Sequence, residues 1–129
     1  RLMMPLTMMN ESGEALHGIP PSSDLLIICD DVNLLLGTLR LRPEGSAGGH
    51  HGLQSCLAVL GAERVPRLRI GVGTVQLPGD LHEFVLSRFE RDEHPIIAQA
   101  LEQAADACEC WAQEGIDAAM NRYNKPQTP

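Results

Sequence analysis

The chain has 129 residues, 43% of them apolar and 21% charged, which fits one globular domain with a single core and excludes a disordered tail. The formal net charge of −7 argues against indiscriminate binding to nucleic acid, and no apolar run reaches the roughly 18–20 residues needed to cross a membrane. The charge is uneven: between Gly37 and Gly73 five arginines (Arg40, Arg42, Arg64, Arg67, Arg69) face two glutamates, a balance of +3 that leaves the rest at −10. Such a segment can meet a polyanion locally, or it can be a solvated arginine face with no partner. The chain opens at Arg1 rather than Met, so a longer parent protein is expected.

In chain order, Leu2–Leu6 is expected to form a short strand ending near Pro5. "MNESGEALHGI" reads as a helix start with Asn10 as its N-cap, because an Asn side-chain oxygen can accept from the first free N–H groups. After the turn "PPSSD", the apolar run Leu25–Cys29 suits a strand buried on both faces, with Asp30 and Asp31 following at its C-terminal end. Thr38–Arg42 alternates as a half-buried strand, and "PEGSAGGHHG" follows as a glycine-rich loop. Leu53–Gly61 fits a helix stopped by Gly61, Arg67–Gly73 another strand, and "GDLHEFVLSRF" a short helix or turn. In the last third, Asp92 is a candidate N-cap. Ile97, Ala100, Leu101, Ala104, Cys108 and Trp111 repeat at helical spacing, Gly115 interrupts, and Ile116–Tyr123 adds a second helical piece. Strands alternating with helices predict a layered α/β domain.

Four cysteines, Cys29, Cys56, Cys108 and Cys110, form no CxxC pair or zinc-finger spacing, so reduced thiols in a cytoplasmic setting are expected. Candidate chemistry gathers where α/β sheets place it, beyond strand ends. Asp30, the glycine loop with His50 and His51, and Asn10 would make a cleft of carboxylate, imidazole and amide groups. A carboxylate beside an imidazole fixes its tautomer and supports general-base catalysis. Each residue also has a plainer role open to it: Asn10 as a cap, Asp30 and Asp31 as a solvated strand end. Metal binding by the two aspartates and two histidines is a further alternative, but no spacing is diagnostic. The loop lacks GxxxxGK[ST] and the chain lacks a GxSxG elbow, which disfavours a P-loop nucleotide site and a serine hydrolase.

The motifs "PLTMMNESG", "DDVNLLLGTLRLR", "GSAGGHHGL", "PRLRIGVG", "FVLSRF" and "AMNRYN" occur in this order. Together they resemble the bacterial-type peptidyl-tRNA hydrolase family over nearly the whole chain. The resemblance implies an esterase that cleaves peptide from the 3′ end of tRNA without a cofactor, in a single three-layer α/β domain with a mixed sheet flanked by helices. It also implies that residues 1–129 are a partial domain. The family's N-terminal strand, a further asparagine and the catalytic histidine have no counterpart here, so little activity is expected of this chain alone. It is also expected to be marginally stable or prone to aggregate, and the complete protein to be a monomer.

By position, Asp30 matches the aspartate that orients the catalytic base. Met9, Asn10, His50 and His51 match substrate-binding positions, and Arg40, Arg42 and Arg69 match basic residues that face the tRNA. The family's GGHNGL reads GGHHGL here, so His51 replaces a substrate-binding asparagine. Non-catalytic members that bind RNA offer an alternative function.

Overall fold

Arg67–Gly73 is the central strand of a three-stranded sheet in the computed structural model, which describes residues 2–20, 24–74 and 78–124. The elements with regular geometry are β1 (Ile27–Leu35), β2 (Leu39–Arg42), α1 (His51–Leu60), β3 (Arg67–Gly73), α2 (Leu81–Leu86), α3 (His94–Glu114) and α4 (Ile116–Tyr123). Short 3₁₀ helices cover Met9–Leu16 and Arg91–Glu93. β3 lies between the other two strands, parallel to β1 and antiparallel to β2. The sheet is therefore mixed, as expected.

Period-two alternation divides β2 and β3 into two unlike faces. Leu39, Leu41 and Leu68 bury against Ala104, Ala107 and Cys110 of α3 and Ala119 of α4. The small residues of α3 let it lie close to the sheet. On the other side Leu53 and Leu57 of α1 pack with Val65, Ile27 and Cys29. The register sets Arg40 against Arg69 and Arg42 against Arg67, so the opposite side chains of "RLR" and "LRLR" are paired across the strands.

Several expectations are corrected. Leu2–Leu6 forms no strand: it pairs with no other strand among the described residues, Pro5 can donate no ladder hydrogen bond, and its large apolar side chains are exposed. Asn10 is not a cap. Met8 precedes the 3₁₀ helix, and Asn10 is its exposed second residue. β1 starts at Ile27 and continues to Leu35, with a register shift between Asp31 and Leu35. Asp30 and Asp31 are thus inside a strand, because paired backbone extends past the apolar run that announced it. α1 begins at His51, two residues before the apolar pattern. Asp92 does not cap α3; Glu90 and Glu93 form a reciprocal capping box one turn earlier.

Gly13 lets the first 3₁₀ helix lie on α1. A Cβ there would stand 2.3 Å from the carbonyl oxygen of Ser55, and its N–H donates to Ser55 Oγ at 2.8 Å. That contact delivers Met9 and Asn10 to the N-terminal end of α1. The packing continues at Gly52, where a Cβ would meet Met9 Sδ at 2.5 Å.

Candidate functional site

The glycine loop ends in a tight turn. His50 N–H donates to Ala47 O at 3.1 Å, and the two central residues, Gly48 and Gly49, have φ of 59° and 87°. Positive φ at both central positions is the signature of a type I′ turn, which side chains other than Gly and Asn resist. The turn sets His50 at the N-cap of α1.

His50 then uses both ring nitrogens. Leu53 N–H donates to Nδ1 at 3.0 Å, satisfying one of the free donors of the first turn. Nδ1 must therefore be unprotonated, and Nε2 carries the hydrogen. Nε2–H donates to Asp30 Oδ1 at 2.9 Å. This hydrogen bond holds the Asp30 carboxyl below the usual carboxylate range, against partial burial that pushes it up. Asp30 is thus a carboxylate at neutral pH, with its side chain 39% exposed. Its neighbour Cys29 is different: burial raises the thiol to about 11, which leaves it protonated and unreactive.

Asp31 turns to Arg69, whose Nη1 lies 3.2 Å from Asp31 Oδ2, while Nη2 of Arg69 donates to Ser46 O at 3.2 Å. Arg67 is almost fully buried and donates to four backbone carbonyls around the loop. Arg42 is exposed and Arg40 half-buried on β2.

Of the residues singled out from sequence, the fold brings Asp30 and His50 into direct contact and seats Met9 against Gly52, beside the His50 ring. Asn10 is the exposed neighbour of Met9. His51 is exposed as the first residue of α1, and its ring makes no hydrogen bond among the described residues. Arg69 is braced internally by Asp31 and Ser46. The metal alternative finds no geometry: among the described residues no three His, Cys, Asp or Glu side chains cluster to hold an ion. In the sequence Arg67 stands out only as charge. The alternation of "RLR" nonetheless puts Arg67 and Arg69 on the same side of the strand.

What remains chemically is an ionised carboxylate with one oxygen engaged by a neutral imidazole. That imidazole has no free lone pair, so it is unsuited to be a base. The carboxylate can still fix the orientation of a second proton-carrying group.

The profile of the family described as peptidyl-tRNA hydrolase matches residues 1–129. The chain is 44% identical over 128 residues to the peptidyl-tRNA hydrolase of Syntrophomonas wolfei, covering 95% of this chain and 69% of that protein. It is 46% identical over 131 residues to that of Chlorobium phaeovibrioides, covering 97% and 69% respectively. Among solved structures, peptidyl-tRNA hydrolase from Acinetobacter baumannii superposes with a TM-score of 0.79 at 29% identity, covering 95% of this chain and 65% of the other. The chain thus spans about two thirds of the length of these relatives. With a matching fold and a profile match from end to end, the chain belongs to the peptidyl-tRNA hydrolase family.

Proposed function

We propose that the protein hydrolyses the ester bond between a peptide and the 3′ end of its tRNA. The observation that carries this reading is the Asp30–His50 pair at the head of α1, with Met9 and Asn10 held beside it. In the reaction a water oxygen attacks the ester carbonyl carbon and a base takes the water proton. The bond from the carbonyl carbon to the ribose oxygen then breaks, and the base returns its proton to that oxygen. A peptide carboxylic acid and a free tRNA hydroxyl leave.

Asp30 orients that base through its exposed carboxylate edge. Met9, Asn10, His50 and His51 line the place where peptide and terminal nucleotide lie. Arg40, Arg42 and Arg69 face the tRNA backbone, and phosphate contacts of this kind position the RNA without reading its sequence. His50 itself is saturated, so residues 1–129 alone are expected to show little turnover.

The test is a chimera in which these 129 residues replace the matching two thirds of the Syntrophomonas wolfei relative. Release of peptide from N-acylaminoacyl-tRNA is the expected result. A folded chimera that binds tRNA and releases nothing would assign the protein to RNA binding alone. That second reading is favoured by one feature, the imidazole of His51 in place of a flat amide donor–acceptor pair.

A further inference from the structure

Arg67 is 1% exposed. A guanidinium at such depth is very costly unless every donor is met. No carboxylate pairs with it among the described residues. Backbone carbonyls do the work: Nε donates to Val65 O at 2.8 Å, Nη1 to Gly45 O at 2.9 Å and Ser46 O at 3.1 Å, and Nη2 to Glu63 O at 3.1 Å. Burial and the neighbouring Arg69 both push its pKa down, but from so high an ordinary value that it stays charged.

The four acceptors are not scattered. Gly45 and Ser46 begin the glycine loop, and Glu63 and Val65 lie between α1 and β3. One planar side chain therefore ties the loop's entry to the segment leaving α1. The loop's exit is His50. Ser46 O is shared with Arg69, whose other arm holds Asp31, the residue after Asp30. The hydrogen bonds thus lead from Arg67 through Ser46 and Arg69 to Asp31. They end at Asp31, one residue from Asp30, on one side, and at Ser46, one tight turn before His50, on the other.

We infer that Arg67 is a positioning residue for the hydrolytic site, holding the loop so that His50 stays on Asp30 and on the first turn of α1. The inference rests on the proposed hydrolysis for what the pair does, but not for its geometry. Lysine cannot replace it: an ammonium is a point donor and cannot span carbonyls on both sides of a planar fork. Displacing a catalytic group by about 1 Å costs on the order of 100-fold in rate.

The experiment compares Arg67→Lys and Arg67→Met with Arg64→Met in the chimera. Arg64 lies in the same basic segment but is exposed, and among the described residues it pairs only with Glu44 at the surface. Nitrogen NMR of the His50 ring reports the bare Nδ1 and the donating Nε2–H directly. Both Arg67 variants are expected to lose this single-tautomer signature, and to lower kcat roughly 10- to 100-fold well below their melting temperatures. KM is expected to rise as well, because the displaced His50 also lines the substrate site. Arg64→Met is expected to change none of these. A folded Arg67→Lys with wild-type ring signals and wild-type kcat would overturn the inference, and that variant decides the matter if Arg67→Met does not fold. If the wild-type chimera releases no peptide, the hydrolase reading fails, while the ring signals still decide whether Arg67 positions the pair.

Discussion

The two adjacent histidines have opposite lives. His50 caps a helix with one nitrogen and grips Asp30 with the other, while His51 points into solvent. Replacing a capping side chain with alanine costs about 1 kcal/mol, within a range of roughly 0.5–2. His50→Ala is therefore expected to lower the unfolding free energy in urea by about that amount or more, because Asp30 also loses its donor. His51→Ala should stay within about 0.5 kcal/mol of wild type. Equal losses for both would contradict the placement of the two rings.

Asp30 gives a pH signature with a defined sign. Its folded pKa is depressed by the His50 hydrogen bond. The stabilisation is therefore fully present above the unfolded carboxylate range and is lost as pH falls through the folded value. The difference in Tm between wild type and Asp30→Asn should be constant above about pH 5 and should shrink as pH drops below about 4. A difference that grows on acidification would show that the carboxyl is raised instead.

At the scale of elements, the packing of the first 3₁₀ helix on α1 depends on missing Cβ atoms. Gly13→Ala forces a methyl against the Ser55 backbone, and overpacking of this kind costs about 1–3 kcal/mol. Gly18→Ala meets no described atom within 4 Å and is expected to leave the melt unchanged or slightly raised. Similar destabilisation by both in thermal melts would mean that the two helices do not touch as described.

β3 was legible to the residue, because "RLRIGVG" alternates and both ends are marked. The Gly115 break between α3 and α4 was legible for the same kind of reason, a glycine that interrupts a periodic stretch. β1 was not fully legible: Asp30, Asp31 and Asn33 look like a loop, yet backbone pairing with β3 carries the strand through the two aspartates. Leu2–Leu6 has strand composition, but a strand needs a neighbour, and composition cannot supply one. Asn10 looked like a cap because caps are read locally, whereas here the contact of Gly13 with α1 decides where the helix begins. In the site, the Asp30–His50 contact followed from placing both residues at the same end of the sheet. The carbonyl cage of Arg67 depended on where two distant loops meet, which no local pattern encodes.

For the molecule as a whole, the unequal surface is the main consequence. Leu2 and Leu6 are 92% and 94% exposed, and Met4 and Met8 83% and 71%. A large apolar side chain left in water forgoes roughly 1.5–3 kcal/mol of burial. β1 also has no strand on its outer edge among the described residues, and an unpaired edge is a template for association. The 129 residues alone are expected to self-associate at micromolar concentration in sedimentation velocity. A monodisperse monomer with a cooperative melt well above room temperature would contradict this.

On the proposed function, Asp30, fixed by His50 and by the loop that Arg67 holds, serves ester hydrolysis rather than structure alone. The most direct measurement is peptide release from N-acylaminoacyl-tRNA by the chimera with and without Asp30→Asn, alongside tRNA binding. The substitution is expected to lower kcat/KM roughly 100-fold or more while tRNA affinity is kept. Turnover within a few-fold of wild type by a folded Asp30→Asn chimera would contradict the account.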